Sequence, residues 1–167
     1  MKKLSLALVA MVFSVAASAQ GKVVIVNLQA AIIQTEAAKK SLQALDADAD
    51  FAAMKAKFES LRADLVNLDK DAKTNGMTWS VEQKADHRKK VEYKSADLKL
   101  AAEKLKAERN AVVKRIMQEQ GRKAQEVLNE LVTSEDIGLV LDASVAHFAN
   151  ASYDITGKVT DKLNKAK

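Results

Sequence analysis

No cysteine and no proline occur among the 167 residues, and there are only five glycines and seven aromatic side chains (one Trp, two Tyr, four Phe). The missing Cys excludes disulfides, thiolate nucleophiles, Cys-based zinc sites and a lipidated N-terminal Cys. Average usage would place about 5% Pro, roughly eight residues, in a chain of this length. Each interior Pro would cost a helix roughly 3 kcal/mol, so its absence leaves room for long unbroken helices. With 27 basic and 22 acidic residues and so few aromatics, a large globular core is hard to build. There is no GxxxxGK[ST] loop, no GxGxxG, no GxSxG and no HExxH, so no nucleotide-driven or zinc-dependent chemistry is visible. His87 and His147 lie 60 residues apart and are read as a surface and a head-packing histidine. Asp142 is read as a strand-end cap. No enzyme, cofactor or metal site is expected.

What is present begins with an address. Lys2 and Lys3 precede a short apolar run, Leu4 to Ala16, that ends in Ala17-Ser18-Ala19. A basic start, an apolar run and a small-x-small end mark residues 1–19 as a secretory signal cleaved before Gln20. A spanning helix would need about 20 apolar residues. Removing the signal takes two lysines and lowers the net charge from +5 to +3. Export also argues against a nucleic-acid partner.

The segment from Lys22 to Asn27 (KVVIVN) is β-branched and apolar, which predicts a short strand buried on both faces. Asn27 is placed to cap a helix starting at Leu28, and helical pattern continues beyond it. From Phe51 the apolar residues fall at Met54, Phe58, Leu61, Leu65, Leu68 and Ala72 in a 3-4 alternation. This heptad stripe calls for a partner helix. Asn75-Gly76 is the strongest turn signal in the chain, and Ser80 with Gln83 forms a capping box that opens a second helix. That helix runs to about Thr133, with a weaker stripe at Val91, Ser95, Leu98, Ala102, Leu105, Arg109, Val112 and Ile116. Beyond it the register slips to Met117, Ala124, Leu128 and Leu131. A slip of register means that the helix changes the face it buries. Gly121 is a candidate bending point, since helix propensity drops there by about 1 kcal/mol.

Gly138 to Asp142 (GLVLD) predicts another short strand, residues 145–148 and 151–154 strand or turn, and Thr156 the cap of a last helix with Ile155, Val159 and Leu163 on one face. The fold expected is mainly α with a small β body: a long antiparallel coiled-coil hairpin projecting from a β-rich head. Residues 20–39 and 134–167 form the head, residues 40–133 the hairpin, with its tip at 74–79. So few strands rarely stand alone, so copies of the chain should complete the head. The assembly contacts are Val23, Val24, Ile25, Val26, Leu139, Val140 and Leu141.

Charge separates the two arms. Residues 28–73 carry a net −1 and residues 80–133 a net +4. Lys84, Arg88, Lys89, Lys90 and Lys94 concentrate the excess near the tip. One reading is a solvated face paired internally with Asp86 and Glu92; the other is a patch for anionic lipid or acidic partners.

The two ends, KVVIVNLQAAIIQT (22–35) and SEDIGLVLDASVAHFANASYDITGKVTDKLNKA (134–166), resemble the opening and closing segments of the Skp/OmpH family of periplasmic chaperones. The resemblance covers the whole mature chain in layout and is specific in those two segments. It implies a homotrimer whose strands build a β-rich body and whose helical tentacles enclose a cavity. It also implies an ATP-independent holdase for unfolded outer-membrane proteins. The client-contact stripe would be Phe51, Met54, Phe58, Leu61, Leu65, Leu68, Leu98 and Leu105. A basic cluster proposed in the family as a lipopolysaccharide site finds Lys114 and Arg115 one turn from its counted position at Ala111 to Val113, a departure from the family pattern. The alternative is a structural or adaptor coiled coil of the envelope that binds a folded partner through the same stripe.

Overall fold

A computed structural model describes residues 21–166; the export signal expected over residues 1–19 lies outside them. The elements in order are β1 (Lys22–Val26), α1 (Leu28–Ile33), α2 (Glu36–Ala47), α3 (Ala49–Asn75), α4 (Val81–Ser134), β2 (Ile137–Asp142) and α5 (Thr156–Lys165). Two short 3-10 turns, Ala143–Val145 and Ala151–Tyr153, lie between β2 and α5. The class is mainly α with one small sheet. Two compact units divide the chain, one of residues up to Thr35 and from Glu119 onward, the other Glu36–Gln118.

In the first unit the two ends of the chain meet. β1 and β2 pair in parallel, Val23 opposite Leu139, Val24 opposite Val140 and Ile25 opposite Leu141. Paired residues of a parallel sheet share a face, so Val24, Val26 and Val140 lie on one side and Val23, Ile25, Leu139 and Leu141 on the other. Val24 and Val26 are buried with Ala31, Ile32, Ala124, Val127, Leu128, Leu131, Ile155, Val159 and Leu163, which form the core of the unit. Val23 and Leu139 stay 45% and 48% exposed. The expectation of a strand buried on both faces therefore fails within one chain, because helices cover only one side of the sheet.

Local chemistry closes this unit. Asn27 Oδ1 accepts from Ala30 N at 2.8 Å and caps α1 as its sequence suggests. Thr156 does not cap α5: it is the first helical residue, and its hydroxyl accepts from Asn27 N at 2.9 Å. The Asp154 carboxylate takes the neighbouring Thr156 N instead, at 2.8 Å. The segments at 145–148 and 151–154 add no strand beyond one bridge of Asp154 to Ile25. Asp136, with φ of 52°, makes the left-handed turn that takes the chain from α4 into β2. The carboxylate of Glu135 receives the Lys158 ammonium at 2.7 and 2.8 Å, and that bond holds it below the usual Glu range. A carboxyl that titrates lower when folded contributes above its unfolded value, and this tie is lost as pH falls through the lowered one.

The sequence boundary at residue 133 and the unit boundary at residue 118 differ. The last turns of α4 bury Ala124, Val127, Leu128 and Leu131 in the strand-bearing unit, where Lys162 also pairs with Glu130. The register slip past Ile116 turns this new face inward. Gly121 lies inside unbroken α4, and a Cβ there would meet nothing within 4 Å. Gly121→Ala should therefore raise stability by about 1 kcal/mol through helix propensity alone, read as a higher urea midpoint with unchanged slope.

Candidate functional site

The second unit is the hairpin. Asp48 breaks the helical pattern: its carboxylate accepts from Asp50 N and Phe51 N, both at 3.0 Å, and starts α3 afresh. Every position of the α3 stripe is buried or half-buried, and every other α3 position except Asp64 is exposed. Asp64 is drawn in by Lys94 across the hairpin at 2.6 Å. At the tip Ser80 N donates to Gln83 Oε1 at 2.8 Å and Gln83 N to Ser80 Oγ at 3.2 Å, completing the capping box in both directions. His87 is half-buried there, not a free surface histidine: its Nε2 lies 3.0 Å from Leu68 O, and its ring sits 4.7 Å from that of Trp79. His147, expected to pack in the head, is exposed.

The α4 side of the seam departs from its expected register. The covered residues are Val91, Lys94, Leu98, Ala101 and Leu105, with Val112 and Ile116 covered as expected further along, while Ser95, Ala102 and Arg109 are exposed. Lys94 enters the seam because its aliphatic stem packs and its ammonium reaches Asp64. The small Ala101, 7% exposed, fits the seam where Ala102 was expected.

A cleft of about 380 Å³ opens where α2, α3 and α4 diverge, lined by Leu45, Asp48, Phe51, Met54, Glu108, Val112 and Arg115 among others. Its only signal in the sequence was the alternation Asp46, Asp48, Asp50, a helix-start chemistry hidden inside a helical pattern.

A family model described as outer membrane protein (OmpH-like) matches residues 22–163. The chain belongs to the OmpH-like family. The Skp-like protein of Pseudomonas aeruginosa is 22% identical over 151 residues, covering 90% of this chain and 89% of its own length. A solved structure of an OmpH-like outer membrane chaperone from Caulobacter crescentus shares 16% identity, covers 88% of this chain and 86% of that one, and has a TM-score of 0.49.

In this OmpH-like chain the heptad stripe is packed along the seam of its own hairpin. Phe51 and Leu61 are 7% and 8% exposed, and Met54, Phe58, Leu65, Leu68, Leu98 and Leu105 are half-buried on the same seam. These residues pack along the seam between α3 and α4, and the large apolar side chains left exposed lie on the outer surface. There Val66, Tyr93 and Leu100 stand 62%, 70% and 51% exposed among charged neighbours. All three lie off the heptad positions of their helices.

The basic residues also divide. Lys94 is withdrawn into its ion pair. Lys84, Arg88, Lys89 and Lys90 are exposed and make no ion pair among the described residues, so the expected pairing with Asp86 and Glu92 does not form. Lys114 and Arg115 are exposed but lie about 36 Å along α4 from Lys90, at 1.5 Å per residue. They are a separate spot. Asp142 caps the turn after β2, accepting from Ser144 N at 2.8 Å, and hydrogen bonding from the Ser144 side chain and backbone lowers its pKa. Among the described residues no group of three or more His, Cys, Asp or Glu could hold a metal ion, and no helix is long and apolar enough to cross a membrane.

Proposed function

We propose that this OmpH-like chain is an ATP-independent holdase of the periplasm. It is exported by a cleaved signal over residues 1–19 and assembles as a homotrimer through its head strands. Between the hairpins of its copies it holds unfolded outer-membrane proteins until they insert. The observation that carries the reading is the outer surface of the hairpin, where large apolar side chains stand singly among charges. Each offers a weak contact, and a client is held by their number without being locked to any one. Release then comes from the client's own folding. The adaptor reading needs an open stripe, and α4 already covers it.

Light scattering tests this. A urea-denatured outer-membrane barrel diluted into buffer should stay clear in the presence of stoichiometric trimer. Unchanged aggregation would remove the holdase reading.

A second contact surface is favoured by the tip. Met77 and Val81, 96% and 79% exposed, stand beside the four unpaired cations of α4. Apolar tips flanked by cations suit an anionic lipid or lipopolysaccharide surface. Reversing Arg88, Lys89 and Lys90 to Glu should abolish binding to anionic vesicles at low salt, with the wild-type interaction fading as salt is raised. Equal vesicle binding by the triple variant at low salt would eliminate the tip as the contact.

A further inference from the structure

We propose that Asn75 is a site of spontaneous deamidation, held back by the last turn of α3, and that its conversion to an acid loosens the tip of the hairpin. The inference does not depend on the client reading above.

Only at Asn75-Gly76 does an asparagine precede a glycine; the other asparagines precede Leu, Ala, Glu or Lys. Asparagine is thermolabile, because the backbone nitrogen of the next residue can attack its side-chain carbonyl carbon. A glycine in that next place has no Cβ and leaves the nitrogen uncrowded. The fold itself requires the glycine: a Cβ at Gly76 would collide with Ala72 O, a backbone atom. The labile pair therefore follows from the way α3 ends.

Hydrogen bonds hold the reacting groups in place. Gly76 N, the nucleophile, donates to Ala72 O at 3.0 Å. The Asn75 side-chain amide donates to Asp71 Oδ1 at 2.7 Å. Asn75 O accepts from Thr78 N at 2.9 Å and from Thr78 Oγ1 at 2.7 Å. Asp71, Asn75 and Thr78 are all exposed, and exposed helix ends open locally at low cost.

Once the turn opens, Gly76 N bonds to Asn75 Cγ and the Cγ–Nδ2 bond breaks. The amide nitrogen leaves as ammonia, taking the proton that Gly76 N gives up. Water then opens the resulting succinimide at either carbonyl, giving aspartate or isoaspartate. Aspartate would face Asp71 one helical turn away, a like-charge pair in place of a hydrogen bond, at the helix end where the dipole disfavours negative charge. Isoaspartate runs the backbone through the former side chain and so displaces the acceptor of both Thr78 bonds. Either product loosens the turn that leads to Trp79, whose ring lies 4.7 Å from that of His87. Trp79 is the one tryptophan of the chain and reports the change.

The test uses the mature chain, incubated at neutral pH for weeks and then digested with trypsin. The peptide Thr74 to Lys84 should gain the mass of the acid several times faster than peptides carrying any other asparagine. The rate should rise further in denaturing urea. Thr78→Val removes one hydrogen bond of the turn, which should speed deamidation of the folded chain by about two- to tenfold. Asn75→Asp should lower the thermal midpoint of the Trp79 fluorescence transition. Acid formation at Asn75 no faster than at the other asparagines overturns the site. Equal rates in the folded chain, in urea and in Thr78→Val overturn the restraint by the turn, and an Asn75→Asp tip that melts with the wild type overturns the loosening.

Discussion

Val24→Asp should abolish the folded head, whereas Leu139→Asp should leave the head folded and release it as a monomer. Neighbouring residues of paired strands give opposite outcomes because the pleat sends them to opposite faces. Val24 is 5% exposed and packs in the core with Val26, Ile32 and Val159. A carboxylate there has no cation to meet. Burying it costs several kcal/mol, comparable with the whole stability of about 5–15 kcal/mol of a domain. Leu139 at 48% exposure puts its replacement carboxylate in water while the chain is single, and in a dry interface only once copies join. Circular dichroism and sedimentation separate the two: Val24→Asp loses thermal cooperativity of the head, and Leu139→Asp keeps it at a lower mass. Equal behaviour of the two variants would mean that the sheet does not have one covered and one open face.

Gly21→Val should be the most damaging glycine substitution in the head. A Cβ at Gly21 would stand 2.6 Å from Gly138 N and 2.8 Å from Gly138 Cα, both backbone atoms that cannot swing aside. The two glycines meet where the β1–β2 register shifts between Lys22 and Val23. Overpacking of this kind costs about 1–3 kcal/mol where neighbours can give, and the cost here lies at or above that range. A thermal midpoint lower by about 3–10 °C is the expected reading. Gly157→Ala is the matched control, since a Cβ there meets nothing within 4 Å, and its midpoint should not fall. If Gly21→Val melts with the wild type, the close approach of the two strands is not required by the fold.

These contrasts mark where sequence reading succeeded and where it stopped. α4 spans Val81–Ser134 because Ser80 and Gln83 are a start signal written within four residues and no proline interrupts the helix formers beyond them. The α3 stripe, Phe51 to Ala72, came out at its expected positions for the same reason: a 3-4 alternation of large apolar residues has one register. In α4 the apolar residues were sparse and alanines stood at adjacent positions, so Ala101 and Ala102 were equivalent until α3 lay beside them. Lys94 was assigned to a surface patch because nothing near it in sequence reveals Asp64, 30 residues away. The break at Asp48 was hidden by good helix formers on both sides.

The chain's own order of residues decided what depends on near neighbours: caps, turns, helix lengths, the charge of each arm and the meeting of its two end strands. Those signals act over one to four residues, or through a hydrophobic run that has no other way to be buried. Tertiary structure alone decided which face of each element is spent inside the chain. It closed the stripe of α3 against α4, paired Lys94 while leaving Lys84, Arg88, Lys89 and Lys90 unpaired, and covered Val24 but not Leu139. The missing residue types act through that division. A chain with no proline can build long arms, and a chain with seven aromatics leaves Phe148 and Tyr153 exposed in the head. The physical reason is that burial is a relation between two surfaces, and a residue's partner is set by the fold, not by the residues beside it.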